Sequence, residues 1–231
     1  MKKKPQPAPV IITNGDKRPL IERPLAIAIQ FWEGDKAKAL ELSRLLADIE
    51  PVRRDDVALI FAQRFDVQMS VDIYQTLQYC QRKFPVFHLS SEREQTGHPN
   101  GCYGLWAGTA EQCYRNYCKT WPYHSVFFCE PDGVPLRRDW INLLKARHAE
   151  TLAAGKRITG NIIPETKECC ALVGGSFVMH LSCWPDHPSL HTCRRDVAWD
   201  VFHAQTLLSE AVDNKAIVDK HSMPTITRDV F

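Results

Sequence analysis

Two carboxylates one residue apart, Glu130 and Asp132 of Glu130-Pro131-Asp132, stand directly after the apolar run Val126-Phe127-Phe128-Cys129. Side chains at i and i+2 of an extended chain project to one side, so both acids can face one pocket at the end of a buried strand. Gathering two like charges out of water is costly unless a cation or donor meets them. A divalent metal carrying a nucleotide diphosphate would meet them. Asp132 also precedes Gly133, and Asp-Gly is by itself good chemistry for a solvated turn.

Holding such a pair requires strands that end together. Apolar runs at 25–31 (LAIAIQF), 57–62 (VALIFA) and 86–89 read as strands, the first two covered on both faces. Between them, Asp35 can cap a helix whose stripe of Leu42, Leu45, Leu46 and Ile49 stops before Pro51. Ser70 can cap a second helix with Ile73, Leu77 and Cys80 inward. Residues 97–101 read as a loop, followed by a helix over about 105–121 and the strand that ends at Glu130. This alternation predicts an α/β fold, a Rossmann-type sandwich with a mainly parallel central sheet and helices on both faces. Further on, the pattern predicts a helix over 139–154 and a strand over 171–181, broken at Gly174-Gly175. A turn-rich stretch at 182–195 and a helix over 196–212 follow. Residues 1–24, rich in Lys and Pro, read as an extended or disordered tail.

Ligands of open parallel sheets bind outside the carboxyl ends of the strands. Four such ends converge here: Gln30-Phe31-Trp32, Gln63-Arg64-Phe65-Asp66, Ser90-Ser91 and Glu130-Pro131-Asp132. No Gly-x-Gly-x-x-Gly follows the first strand and no Walker pattern is present, which argues against a dinucleotide fold, an ATPase or a kinase. Phosphate has to be held by other means, and a metal on the carboxylates is the simplest.

With 231 residues, the chain suffices for one substantial domain, and its 44 % apolar and 24 % charged content is ordinary for a globular protein. A net charge of +2 does not argue for nucleic acid, and part of it comes from Lys2, Lys3 and Lys4 in the tail. No secretion-signal core or membrane-spanning run occurs, so the expected location is the cytoplasm, or the host cytoplasm if the protein is viral. The nine cysteines contain no Cys-x-x-Cys pair and are expected to be reduced, mostly buried thiols. His180, His187, His191 and His203 lack the pairing of a zinc site.

These features resemble the GT-A-fold, nucleotide-sugar-dependent glycosyltransferases, over residues 25 to about 221. Glu130-Pro131-Asp132 stands where that family has its Asp-x-Asp motif. Pro99-Asn100-Gly101-Cys102-Tyr103-Gly104 looks like its glycine-containing turn opening a helix beside the donor. Trp199-Asp200 looks like its acceptor-facing acidic pair. Two departures stand out: the first acid of the motif is Glu, and the acceptor-side pair is Trp-Asp.

The resemblance implies one domain over 25–231, with a nucleotide-binding half at 25–132 and an acceptor-binding half at 133–231. It implies Mn²⁺ or Mg²⁺ held by Asp132 and completed by His221, with Glu130 on the ribose or sugar and Asp66 reading the base. Gln30, Phe31, Trp32 and Gly101 would complete the donor site. Asp200 would be the general base if the reaction inverts the sugar and would orient substrate if it retains configuration. The donor implied is a UDP-sugar and the acceptor a hydroxyl. Virus-encoded enzymes of this kind glycosylate hydroxymethylated DNA bases, so the basic pairs Arg53-Arg54, Arg137-Arg138 and Arg194-Arg195 would then contact a polyanion. Two other classes stay open: a nucleotidyltransferase, which would need a glycine-rich signature after the first strand, and a non-catalytic nucleotide-sugar-binding module.

Overall fold

A seven-stranded sheet forms the centre of the computed structural model, which describes residues 18–119, 121–135, 137–165 and 170–213. Its strands are β1 (Leu25–Phe31), β2 (Val57–Gln63), β3 (Val86–Ser90), β4 (Ser125–Cys129), β5 (Ile158–Ile163), β6 (Leu172–His180) and β7 (Ala211–Asp213), in the order β3-β2-β1-β4-β6-β5-β7. The first four run parallel; β6 is antiparallel to β4 and β5, and β7 is parallel to β5. The helices are α1 (Lys36–Ile49), α2 (Val71–Cys80), α3 (Asn100–Lys119), α4 (Trp140–Ala153) and the short α5 (Cys183–Asp186), α6 (Trp199–Phe202) and α7 (Ala204–Glu210).

Alternation along the strands sorts the helices onto two faces. Leu25, Ile27, Ile29 and Phe31 of β1 pack with residues of α1, α2 and α4, while Ala26 and Ala28 face the cluster containing α3. β2 repeats the division, with Val57, Leu59 and Phe61 on one side and Ala58, Ile60 and Ala62 on the other. The small residues leave depth for Tyr103, Trp106 and Tyr117 of α3, in keeping with close-packed interiors. Each large side chain withdrawn in this way contributes roughly 1.5–3 kcal/mol.

The mainly parallel sandwich expected from the sequence is present, with four local corrections. β5 was not foreseen: Thr159-Gly160-Asn161 interrupts its apolar pattern. β6 continues as one strand through Gly174-Gly175, paired with β5 on either side of them at Leu172-Val173 and at Phe177–Met179, with a shift of register between. The helix expected over 196–212 is instead α6 and α7, parted at His203, followed by β7. Asp35 precedes α1 without a side-chain cap, whereas Ser70 accepts from the Ile73 N–H at 3.5 Å as expected. The described cysteines are all free thiols; four are buried, and Cys102, Cys118 and Cys170 are exposed.

Buried histidines make this fold acid-sensitive. His148 accepts or donates between Thr159 Oγ1 (2.7 Å) and Ser125 Oγ (2.8 Å), and burial lowers its pKa to about 3. Burial likewise takes His180 to about 3 and His203 to about 4. All three are neutral when folded and protonate freely when unfolded, near pH 6.5. Stability present above pH 6.5 is therefore lost as pH falls below it, at up to about 1.4 kcal/mol per pH unit for each histidine. Urea unfolding at pH 7, 6 and 5 is expected to show this steep decline; a flat profile would exclude it.

Candidate active site

The parallel strands deliver their carboxyl ends abreast. Phe31 lies opposite Gln63 and Ile29 opposite Cys129, and the ladder extends one step further through Arg64 N–H to Phe31 O (2.9 Å) and Ser91 N–H to Gln63 O (2.9 Å). Trp32, Arg64, Ser91 and Glu130 thus emerge along one edge.

The Glu130 carboxylate is half-buried and lies over Gly175 of β6, where a Cβ would collide with it. Its backbone N–H donates to Ser176 Oγ (3.3 Å). A glycine inside a strand marks close approach of another group, and here that group is the first acid of the motif. Asp132 is exposed two residues on, in a turn closed by Gly133 N–H to Glu130 O (3.0 Å). The turn and the paired acids therefore coexist. Burial, followed by the charges of Glu130 and Asp132, pushes the Cys129 thiol up to about 12, so both carboxylates bear on one point at the strand end.

Beside them, Trp32 is 46 % exposed and its ring packs on Gly34. The Arg64 guanidinium lies 5.2 Å from the Trp32 ring centre and grips Asp66 in a fork, Nε to Oδ1 and Nη2 to Oδ2 both at 2.6 Å. That hydrogen bonding holds the Asp66 carboxyl below its ordinary value. Each Asp66 oxygen keeps a further acceptor site beside this fork, so the pair presents both a carboxylate and a guanidinium. Sequence reasoning missed Arg64, although Arg64-x-Asp66 has the same i, i+2 spacing as the motif acids. Phe31 is a second correction: it is fully buried in the core, leaving Trp32 as the aromatic at the rim. Gln30 points to the α3 face, and its Nε2 is buried without a partner among the described residues, an orphan donor at the strand end.

α3 opens directly over this edge. A Cβ on Gly101 would come within 3.1 Å of Arg64 Nη1, so the missing side chain lets the guanidinium approach the first turn. Cys102 follows, its thiol pushed up first by partial burial and then by Glu130, against Arg64, with Asp35 and Asp200 adding to the rise. Asp200 and Glu130, seventy residues apart in sequence, thus act on one thiol. Asp200 opens α6, half-buried, its Oδ1 accepting from Val201 N–H at 2.9 Å. Its neighbour Trp199 stacks on the buried Trp106 of α3, with centroids 4.3 Å apart and planes at 13°. This stack positions the acid.

Two oxygen-donor acids at one strand end suit a hard divalent cation, which prefers carboxylate and phosphate oxygens. Among the described residues no group of three or more His, Cys, Asp or Glu side chains is poised to hold a metal, so the remaining ligands would come from substrate or from elsewhere in the chain. His221, expected to complete the site, lies outside the described residues.

Four arginines of the basic pairs have partners close by in sequence. Arg53 bonds Asp55, Arg54 bonds Asp56, Arg137 bonds Asp139 and Arg194 bonds Asp196, each two residues on. Those four charges are met locally; Arg138 and Arg195, the second members of their pairs, take no such aspartate. Lys2, Lys3 and Lys4 lie outside the described residues. No described helix is long and apolar enough to cross a membrane.

Sheet order, the antiparallel sixth strand and the acids after β4 define a GT-A-type fold. Two solved structures carry that likeness. One is the mannosyltransferase PcManGT from Pyrobaculum calidifontis in complex with GDP-Man and Mn2+, with a TM-score of 0.51 and 10% identity over 92% of this chain. The other is S. aureus TarS, with a TM-score of 0.54 and 11% identity over 83% of this chain. The chain spans 59% and 35% of those two proteins, and at such identities the likeness is one of fold. No protein-family model matches the chain, and a search of curated proteins finds no match.

Proposed function

We propose that this protein is a metal-dependent glycosyltransferase that moves a sugar from a nucleotide-sugar donor, a UDP-sugar first, to a hydroxyl acceptor. The observation that carries the reading is the gathering at the start of α3 of Arg64 against Gly101 and of Asp200, held through Trp199 stacked on Trp106, with the charges of Glu130 and Asp200 both acting on Cys102. Residues 25–132 would bind the donor and 133–231 the acceptor.

Trp32 offers a flat face for the base, and Arg64, fixed by Asp66, offers paired donors to the phosphates or base. Glu130 would accept from ribose or sugar hydroxyls, and the orphan Gln30 amide would donate to the same ligand. Asp132, with His221, would hold Mn²⁺ or Mg²⁺, which when bound supplies Lewis-acid neutralisation of the leaving diphosphate. Asp200 would take the acceptor proton in an inverting reaction. A hydroxymethylated DNA base is a weaker acceptor candidate, because aspartates meet most of the arginines that would have followed the phosphates.

The test is thermal melting with UDP-, GDP-, CMP- and ADP-sugars, with and without Mn²⁺. A ligand that binds only the folded form adds about 2.7 kcal/mol at 100 times its Kd, roughly 5–10 °C for a chain of this size. One donor is expected to give such a shift only with metal. No shift with any donor would overturn the reading.

A further inference from the structure

The segment at 91–96 crosses the N-terminal half of α3 so closely that a Cβ on Gly101, Gly104 or Gly108 would meet Thr96, Gln95 or Ser91. The turn at 191–195, just ahead of Trp199-Asp200, comes up beside it. Between these two segments and the first turn of α3 lies a cavity of about 480 Å³, inside the ~300–1,000 Å³ range of small-molecule sites. It is lined by Arg93, Arg195, Thr96, Asn100 and Thr192, with Glu94 as the acid of the lining.

The two arginines differ in kind. Arg93 is built into the wall: its Nη1 donates to Tyr103 Oη (3.2 Å) and His191 O (3.1 Å), and its Nη2 to Glu111 (3.2 Å). Arg195 is exposed and has no hydrogen bond or ion pair among the described residues. Arg194, Arg137, Arg64, Arg54 and Arg53 each take an aspartate two residues on; two residues beyond Arg195 stands Val197. Its five donors are therefore available to a ligand. Cys193, also in the lining, feels the charge of Asp200, which acts on Cys102 at the donor edge as well. Asp200 is carried to this side of α3 by its neighbour Trp199, which stacks on Trp106.

We infer that this cavity is an oxyanion subsite, in which Arg195 and the neighbouring hydroxyl and amide donors hold a phosphate or carboxylate of the acceptor while its hydroxyl faces Asp200. Guanidinium matches both oxyanions in a two-pronged geometry, and such charge-assisted bonds are the strong ones. Naming the ligand as the acceptor rests on the glycosyltransferase reading; the anion site itself does not.

The experiment is calorimetric titration in metal-free buffer at low salt with glycerol phosphate, with glycerate as the carboxylate probe and glycerol as the uncharged control. Saturable binding of one or both oxyanions and none of glycerol is expected. Arg195→Ala should weaken it by about 10-fold or more, as loss of a hydrogen bond to a charged group implies. Arg195→Lys should recover part of the affinity, and Arg53→Ala, at the opposite edge of the sheet, should leave it unchanged. Asp132→Ala should also leave it unchanged, which separates this site from the diphosphate site. The inference is overturned by no saturable binding, by binding indifferent to Arg195→Ala, or by binding lost in Asp132→Ala. Arg195-dependent binding in a protein that takes no nucleotide sugar would keep the anion site and remove the transferase reading. Donor-dependent melting shifts without oxyanion binding would remove this inference alone.

Discussion

Asp132→Ala is expected to lower sugar transfer by about 1,000-fold or more while the protein melts within a few degrees of its normal temperature. The size follows from the charge it is proposed to manage. A Lewis acid at the leaving diphosphate is worth several kcal/mol, and about 4 kcal/mol corresponds to a factor of 1,000. The small effect on stability follows from position: Asp132 is exposed in a turn beyond the end of β4, and surface changes away from a cap or core cost within about 0.5 kcal/mol. The measurement is donor turnover at saturating Mn²⁺ beside a melting curve. The melting shift given by the donor with metal should vanish in the same variant. Full turnover in Asp132→Ala would remove the metal from this motif.

Asp200→Asn is expected to separate binding from chemistry. Positioned acid–base groups contribute about 10²–10⁴-fold, so transfer should fall by that order while donor affinity is retained. The amide keeps the shape and can still accept from Val201 N–H, and the Trp199–Trp106 stack that holds α6 is untouched. The readout is kcat for transfer against the donor-induced melting shift, measured on one preparation. Unchanged transfer would take Asp200 out of the chemistry; loss of donor binding as well would make it a donor-site residue.

Strand register explains why part of this site could be read in advance. Residues i and i+2 share a side wherever the backbone is extended, and uninterrupted apolar runs mark strands covered on both faces. β1 accordingly spans Leu25–Phe31 as expected, β4 ends just before Glu130, and Trp199-Asp200 opens a helical turn. The same local rule underlies the Arg64–Asp66 fork, which was legible in principle and was passed over.

Other features have no local signature. Gly175 in isolation reads as a strand breaker, and only the antiparallel neighbour carrying Glu130 explains it. The helix expected over 196–212 divides at His203, which the rings of Tyr103 and Trp106 surround, a contact spanning about one hundred positions of sequence. Phe31 and Trp32 are adjacent aromatics, and the pleat sends the first into the core while the strand end leaves the second at the rim.

The sequence by itself determined the parallel core and the acids at its carboxyl edge, because both depend on the pleat of single strands and on the burial of continuous apolar runs. Only the tertiary structure decided which charges stand alone. Arg93 is spent on His191 and Glu111, while Arg195 in the same cavity wall has no partner among the described residues, and that difference arises where segments ninety-eight residues apart are packed against one helix.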